Sequence, residues 1–351
     1  IKQSASSARL RQRFDEDSRA LIPLLDAASI EFLQNVQVPI SALSTGHVPL
    51  DMDVFPMDNS GTKKEGVSYT YKGHDGYAPI AAYLGLEGWC MACELRPGSQ
   101  HANNEFLHTL DRILPRVRAL TDKPILVRLD SAHDALENRQ YLSGQAMDYL
   151  IKWNPRKQEP FAWYEKADAA TTWCHLRPGK MEATFSEILD ETAYARRVIR
   201  ITVRLSDANG QLFLEPQIKI EGWLTTLRPD VADDHAVIAL YRDHATSEQF
   251  HSEFKTDLDL ERLPSGKFDT NDLVMAFAVL AYNILRWMGL RGLMGKDAPV
   301  RHKAKRRRLK TVMQELMYMA CRMVSSGRQL TLRFGKHCPG FKAFSSVYGN
   351  I

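Results

Sequence analysis

Tyr241-Arg-Asp-His244-Ala-Thr-Ser-Glu248-Gln-Phe-His-Ser-Glu-Phe-Lys255 is the stretch whose reading decides the fold. On a helix turning about 100° per residue, positions 241, 244, 248 and 255 fall at about 0°, 300°, 340° and 320°. One stripe then carries a phenol, an imidazole, a carboxylate and an ammonium. Far upstream, Val48-Pro-Leu-Asp51-Met-Asp53 and Pro124-Ile-Leu-Val-Arg-Leu-Asp130 read as strands with carboxylates at or near their ends. Three carboxylates from separate elements, one of them inside a basic helical face, suit two divalent cations acting on a phosphodiester. Hard ions such as Mg²⁺ bind carboxylate oxygens and keep several waters, so three acidic side chains suffice. Asp130 reads as the second ligand and Glu248 as the third. For the first, Asp51 and Asp53 are two residues apart and share a strand face, so either can point at the metals. Each carboxylate alone is as easily a cap or a surface charge, and the stripe alone as easily a solvated face. Only the three together, in this order on these elements, point to that chemistry.

Tyr, two residues, Arg, three residues, Glu, six residues, Lys is the signature of one large branch of bacterial insertion-sequence transposases, DDE enzymes with a ribonuclease-H-like core. This chain resembles that branch: Tyr241, Glu248 and Lys255 match in register, and His244 stands where the family has arginine. Asp51-Met-Asp53, the run Asp58-Asn-Ser-Gly-Thr-Lys-Lys-Glu-Gly66 and Val127-Arg-Leu-Asp130-Ser look like the first and second aspartate regions, and the similarity covers roughly residues 45 to 290. The resemblance implies Asp53, Asp130 and Glu248 as catalytic metal ligands, Asp53 being preferred because the family's aspartate sits just inside a polar strand end. Asp51 stays open as the alternative first ligand. It also implies two Mg²⁺ ions (with Mn²⁺ as a substitute), terminal inverted repeats of double-stranded DNA and a target DNA as substrates, and a homodimer holding two ends. Tyr241, His244 and Lys255 would touch DNA backbone near the scissile phosphate. Imidazole is often neutral at pH 7 and lacks the guanidinium fork, so binding at His244 is expected to be weaker and pH-sensitive, or taken over by Arg242.

At 351 residues and 44% hydrophobic, the chain can bury the cores of two or three domains. No apolar run is expected to reach the length of a membrane span. The chain opens on Ile1 rather than Met, so the lack of a targeting signal is weak evidence. Five cysteines, an odd number, suggest reduced thiols and a cytoplasmic protein. Cys90-Met-Ala-Cys93 lies in an apparent strand, which would point the two cysteines to opposite faces, so buried thiols are expected rather than zinc. Net charge is only +4, but Arg301-His-Lys-Ala-Lys-Arg306-Arg307-Arg-Leu-Lys310 packs seven Lys or Arg into ten residues. Arg196, Arg197, Arg200 and Arg204 form another cluster. Such runs release counterions when they meet phosphates. Lys63 and Lys64, with Tyr69, Tyr71 and Lys72, and a second loop with Arg96, Gln100 and His101, are candidate walls of a DNA channel. One of Trp163, Trp173 and Trp223 could stack on an extruded base, although most such tryptophans are core.

The order of elements predicts an α/β fold with a ribonuclease-H-like mixed sheet flanked by helices. Short helices are expected in 1–44, as a truncated domain. Strands are expected at 47–55, 67–71, 78–84 and 88–95. An amphipathic helix over 103–120 follows, then a strand ending at Asp130, a short helix and a strand at 149–153. These fill a first core part, 45–157. A β-rich insertion, 158–232, has strictly alternating 198–205 and a hairpin turn at Asn209-Gly210. The core resumes over 233–292 with the third carboxylate, and 293–351 reads as a basic helical region. The function expected is DNA cleavage and strand transfer. The rivals are an inactive or domesticated DNA-binding derivative, a nuclease of the same fold without strand transfer and, remotely, a carbohydrate hydrolase, which would not account for the basic stripe.

Overall fold

The computed structural model describes residues 5–300 and 302–349, with side chains from residue 20 onward. Arg301, head of the basic run, lies outside the described residues. The first helix, α1 (Ala5–Asn35), is a single element of 31 residues with Pro23 inside it, where several short helices were expected. Its polar sequence is held helical by tertiary packing: it lies along the long helix α7, introduced below, where Phe32 meets Trp287 edge-on at 5.8 Å.

Five of the six expected strands build the main sheet in the expected order: β1 (Val48–Val54), β2 (Ile80–Leu84), β3 (Trp89–Glu94), β4 (Ile125–Leu129) and β5 (Asp148–Lys152), whereas the strand expected at 67–71 is reduced to Ser68–Tyr69 in a separate small sheet. β2 pairs antiparallel with β1 and with β3, whereas β4 runs parallel to β1 and to β5. The resulting sequence β3-β2-β1-β4-β5 is the ribonuclease-H-like arrangement. All five residues of β4 are buried, as continuous apolar strands inside parallel sheets are. Crossovers are made by α2 (Phe106–Leu120) and α3 (Leu136–Gly144). α2 starts three residues later than its periodicity suggests, because Glu105 takes a left-handed backbone at φ 57° and breaks the run.

The insertion begins with α4 (Pro160–Ala170) and continues as β6 (Cys174–Arg177), β7 (Lys180–Asp190), β8 (Ala195–Ser206) and β9 (Leu212–Thr225). Its strands are not set apart from the core. Trp223, Leu224 and Thr225 of β9 pair antiparallel with Lys152, Ile151 and Leu150 of β5, giving one nine-stranded sheet, β3-β2-β1-β4-β5-β9-β8-β7-β6. Three of the four arginines of the cluster on β8 are absorbed internally, while half-buried Arg204 lies over the Phe213 ring at 5.4 Å. Arg196 is buried against Asp234 and the carbonyls of Leu227 and Ala232, Arg197 pairs with Glu187, and Arg200 pairs with Glu221. Trp163 and Trp223 are core residues, not stacking platforms.

The chain then forms α5 (Asp234–His244), α6 (Thr246–Ser252), a π-helical turn Glu253–Asp257 and α7 (Phe268–Gly292). Asp233 caps α5 through the backbone N–H of Ala236, at 2.7 Å. α7 corrects the expectation about membrane spans: by length and composition its 25 residues could cross a bilayer. However, 61% of its most apolar window is buried in the protein. Asn283 of α7 bonds both backbone groups of Cys90, at 2.8 and 2.9 Å. Beyond it, the C-terminal region is only partly helical. A short helical piece, Leu309–Val312 running into Met313–Met317, leads to a hairpin of β10 (Cys321–Ser326) and β11 (Gln329–Phe334), and then to a last helix, Phe341–Tyr348.

Candidate active site

Sheet register builds the site. In the parallel pair β1/β4, Asp51 stands opposite Arg128. Side chains alternate along a strand, so Asp51, Asp53, Arg128 and Asp130 all belong to one face. That face is the one covered by α5, α6 and α7: Leu126 packs with Leu240, Tyr83 meets Phe250 at 4.8 Å, and Cys90, opposite Tyr83, bonds Asn283. Asp53 and Asp130 lie two residues beyond the Asp51–Arg128 rung, where the two strands end side by side.

The carboxylates are held differently. Among the described residues, Asp53 accepts only from the backbone N–H of Val54, at 2.7 Å. Burial, and then the nearby charge of Asp130, pushes its carboxyl up to about 6. Asp130 caps the turn Ser131–His133, accepting from Ala132 N at 3.1 Å and from His133 Nδ1 at 2.7 Å. Burial would raise it, but the hydrogen bond and charge of His133 outweigh that and its carboxyl sits below the usual range. Glu248, on α6, is exposed on the wall of a cavity of about 620 Å³ shared with Asp53, Tyr71, His251 and Lys255. The Tyr71 hydroxyl donates to Val54 O at 3.1 Å. Burial, followed by the charges of Asp53, Asp130 and Glu248, pushes that phenol up to about 12.

Asp51 is a different kind of group. Arg128 donates to both its oxygens, at 2.6 and 2.7 Å, and His244 Nδ1 lies 3.1 Å from Oδ1. Arg128 also donates to Leu240 O, at 2.7 Å. Asp51 and Arg128 are almost fully buried; burial alone would raise the Asp51 carboxyl, but Arg128 and then His244 hold it below the usual range. With both oxygens taken inside the protein, Asp51 is an internal anchor, and Asp53 is the free carboxylate of the pair.

The expected single stripe is divided. The helix breaks after His244, restarts at Thr246 and widens over Glu253–Asp257, so the constant turn per residue does not carry through. His244 is 5% exposed and turned inward onto Asp51, where a surface contact was expected. Tyr241 is half-buried beside Trp223, at 6.3 Å between rings, while Arg242 is exposed. Lys255 reaches the cavity, donating to Pro56 O at 2.9 Å and pairing with Glu261 at 3.1 Å. Lys63 is exposed, but Lys64 is drawn onto Asn59 and the Leu263 carbonyl. Arg306 lies over the Phe250 ring at 4.3 Å and donates to Gln249. Arg307 is buried, donating to the carbonyls of Leu293 and Val300, so it is structural where a surface contact was expected. Arg96 likewise turns inward onto Ala102 O, Asn104 O and Thr109.

Three residues escaped the reading of the sequence. Arg128 could have been suspected as the lone charge inside an apolar strand. His133 follows Asp130 by three residues, within one turn. His251 lies within the decisive stretch; its ring stacks on Phe55 at 4.5 Å, and burial pushes it down to about 3, leaving a neutral imidazole. The cysteine pair also departs from expectation. A register shift in β2/β3 sets Cys90 opposite Tyr83 and Cys93 opposite Ala81, so both share one face. Both are buried thiols, pushed up by that burial. Among the described residues, no group of three or more His, Cys, Asp or Glu side chains stands close enough together to hold a metal ion.

The family model for transposase DDE domain group 1 matches residues 3–351, nearly the whole chain. A solved structure of a piggyBac transposase synaptic complex with hairpin DNA is similar with a TM-score of 0.44 and 8% identity, covering 76% of this chain. The chain spans 50% of that protein's length. No curated protein matches the chain.

Proposed function

The chain belongs to the transposase DDE domain family, group 1, and from that premise we propose that it cuts and joins DNA at the terminal inverted repeats of a mobile element. The observation that carries this reading is that Asp53 and Glu248 line one cavity, with Asp130 at the end of the strand beside Asp53. All three are hard oxygen donors, and among the described residues neither Asp53 nor Glu248 forms an ion pair, so the donor set suits Mg²⁺ or Mn²⁺. Two such ions, when bound, shield the phosphate and make a bound water nucleophilic near neutral pH.

The protein's own part is to bind and orient. Exposed Arg242 and Lys63, with Lys255 at the cavity wall, would pair with backbone phosphates. Neutral His251 and the Phe55 ring line the cavity without adding charge beside the carboxylates. The reading implies double-stranded DNA as both element end and target, two copies holding two ends, and a cytoplasmic protein with no membrane partner.

A DNA-binding derivative that no longer cuts is the second reading. It draws on the inward turn of His244 and on the lack of a closed ligand set among the described residues. A labelled element-end duplex, incubated with Mg²⁺ and the parent, Asp130→Ala or Glu248→Ala chains, separates the two. Metal-dependent nicking at the boundary, lost in both variants, is the expected result. Binding without nicking by the parent would sink the enzyme reading and favour the derivative.

A further inference from the structure

The C-terminal hairpin belongs to no part of the site described so far. From Leu316 to the end the sequence has five Lys or Arg and no Asp or Glu. Among the described residues, β10 and β11 pair only with each other, and a lone two-stranded ribbon is at best marginally stable in water. Its construction adds two further penalties. Arg322 stands directly opposite Arg333 on one face, a like-charge rung that destabilises a hairpin. The turn takes left-handed backbone at Gly327, φ 58°, and at Arg328, φ 65°. The second of those positions favours glycine or asparagine, not arginine. All three arginines are exposed, and none of their side chains has a hydrogen bond or ion pair with another described residue.

The ribbon is nonetheless fixed at its base, where Phe334 packs on Phe341 at 5.3 Å and on Phe344 at 5.1 Å. Each strand has six residues, about 20 Å of ribbon, and a two-stranded β-ribbon fits the roughly 12 Å width of a DNA major groove. Polyanion phosphate is the partner that would turn a repulsive rung and an arginine tip into favourable contacts.

We propose that β10–β11 is a DNA-docking ribbon, with the Arg322/Arg333 rung and the Arg328 tip neutralising phosphates along a groove. This rests on the reading that the chain acts on DNA. The test is fluorescence anisotropy of a random-sequence duplex titrated with the full chain over a range of salt. Parent, R322S/R328S/R333S and R322K/R328K/R333K chains are compared, with melting curves to check that each is folded. The serine variant should lower the slope of log affinity against log salt by about 2 to 3, and weaken binding at fixed salt by about tenfold or more. The lysine variant should keep the slope. Equal slopes for parent and serine variant, both binding, overturn the ribbon and leave the enzyme reading intact. Lost self-association of the serine variant in sedimentation, with an unchanged slope, overturns it too and makes the hairpin an arm between copies. No duplex binding by the parent at all would instead overturn the DNA reading, and the ribbon with it.

Discussion

The strand-borne half of the candidate site and its helix-borne half are built on opposite principles. Asp53 and Asp130 stand at the ends of adjacent parallel strands, two residues beyond a buried ion pair that ties both strands to α5 through Leu240 O. Their separation is set by register, and register cannot slip by one residue without turning every side chain to the other face. Glu248 sits exposed on a short helix between a break and a π-helical turn, and no described side chain holds its carboxylate. Two of the three candidate carboxylates are thus fixed by the sheet, and the third is left to be fixed by what binds. Folding stability should follow the same division.

The largest effect is expected at Arg128. Arg128→Met leaves Asp51 buried without its partner and should cost about 3–5 kcal/mol, read as the shift in urea midpoint. Adding Asp51→Asn should return part of that loss, because both charges are then gone. A double variant no more stable than Arg128→Met would break the claim that the pair acts as a unit.

Asp53 is expected next, with opposite sign. Its folded carboxyl is raised to about 6 from an ordinary value of 3.8. The folded state therefore holds a proton that the unfolded chain releases, and its contribution is greatest below the unfolded value and lost as pH rises through about 6. Asp53→Asn should stabilise the metal-free chain at pH 8 by on the order of 1–2 kcal/mol and have little effect at pH 4. Destabilisation at pH 8 would mean that Asp53 is held by a partner, as Asp51 is.

The smallest effect belongs to Glu248. Glu248→Ala should change stability by about 0.5 kcal/mol or less while removing metal-dependent cleavage by about a thousandfold or more, about 4 kcal/mol of barrier. A large stability loss on Glu248→Ala would show that the helix-borne half is anchored after all.

How much of this was legible follows from which signals are local. The apolar run closed by Asp130, the alternation in 198–205 and the Asn209-Gly210 turn are written in adjacent residues, and so the strands could be placed. Asp51 and Asp53 could not be told apart, because a period of two puts them on one face. What separates them is Arg128, 77 residues from Asp51, together with His244. The stripe from Tyr241 to Lys255 was overextended since a helical wheel presumes an unbroken helix, and this one restarts at Thr246. The Cys90/Cys93 parity failed through one extra residue in a strand, which spacing cannot reveal. That β9 joins β5 depends on rungs such as Thr225 with Leu150, a pairing that no local pattern announces. The inward turn of Arg307 was hidden because a basic run looks alike whether its arginines face water or backbone carbonyls.

The Arg128 anchor also bears on the order in which the chain can assemble. Its contacts span 77 residues to Asp51 and 112 to Leu240, and His244 closes on Asp51 across 193. Contacts at such separations come late, since the entropy of closing long loops has to be overcome first. Until α5 arrives, the sheet carries a guanidinium and a carboxylate beside an uncovered apolar face. α5 follows the insertion in the chain, so a growing polypeptide cannot seal the first half of its site until the whole insertion has been made. Chains stopped short of residue 240 should then expose apolar sheet and be taken up by chaperones or proteases, which guards against half-built proteins with two of the three carboxylates in place.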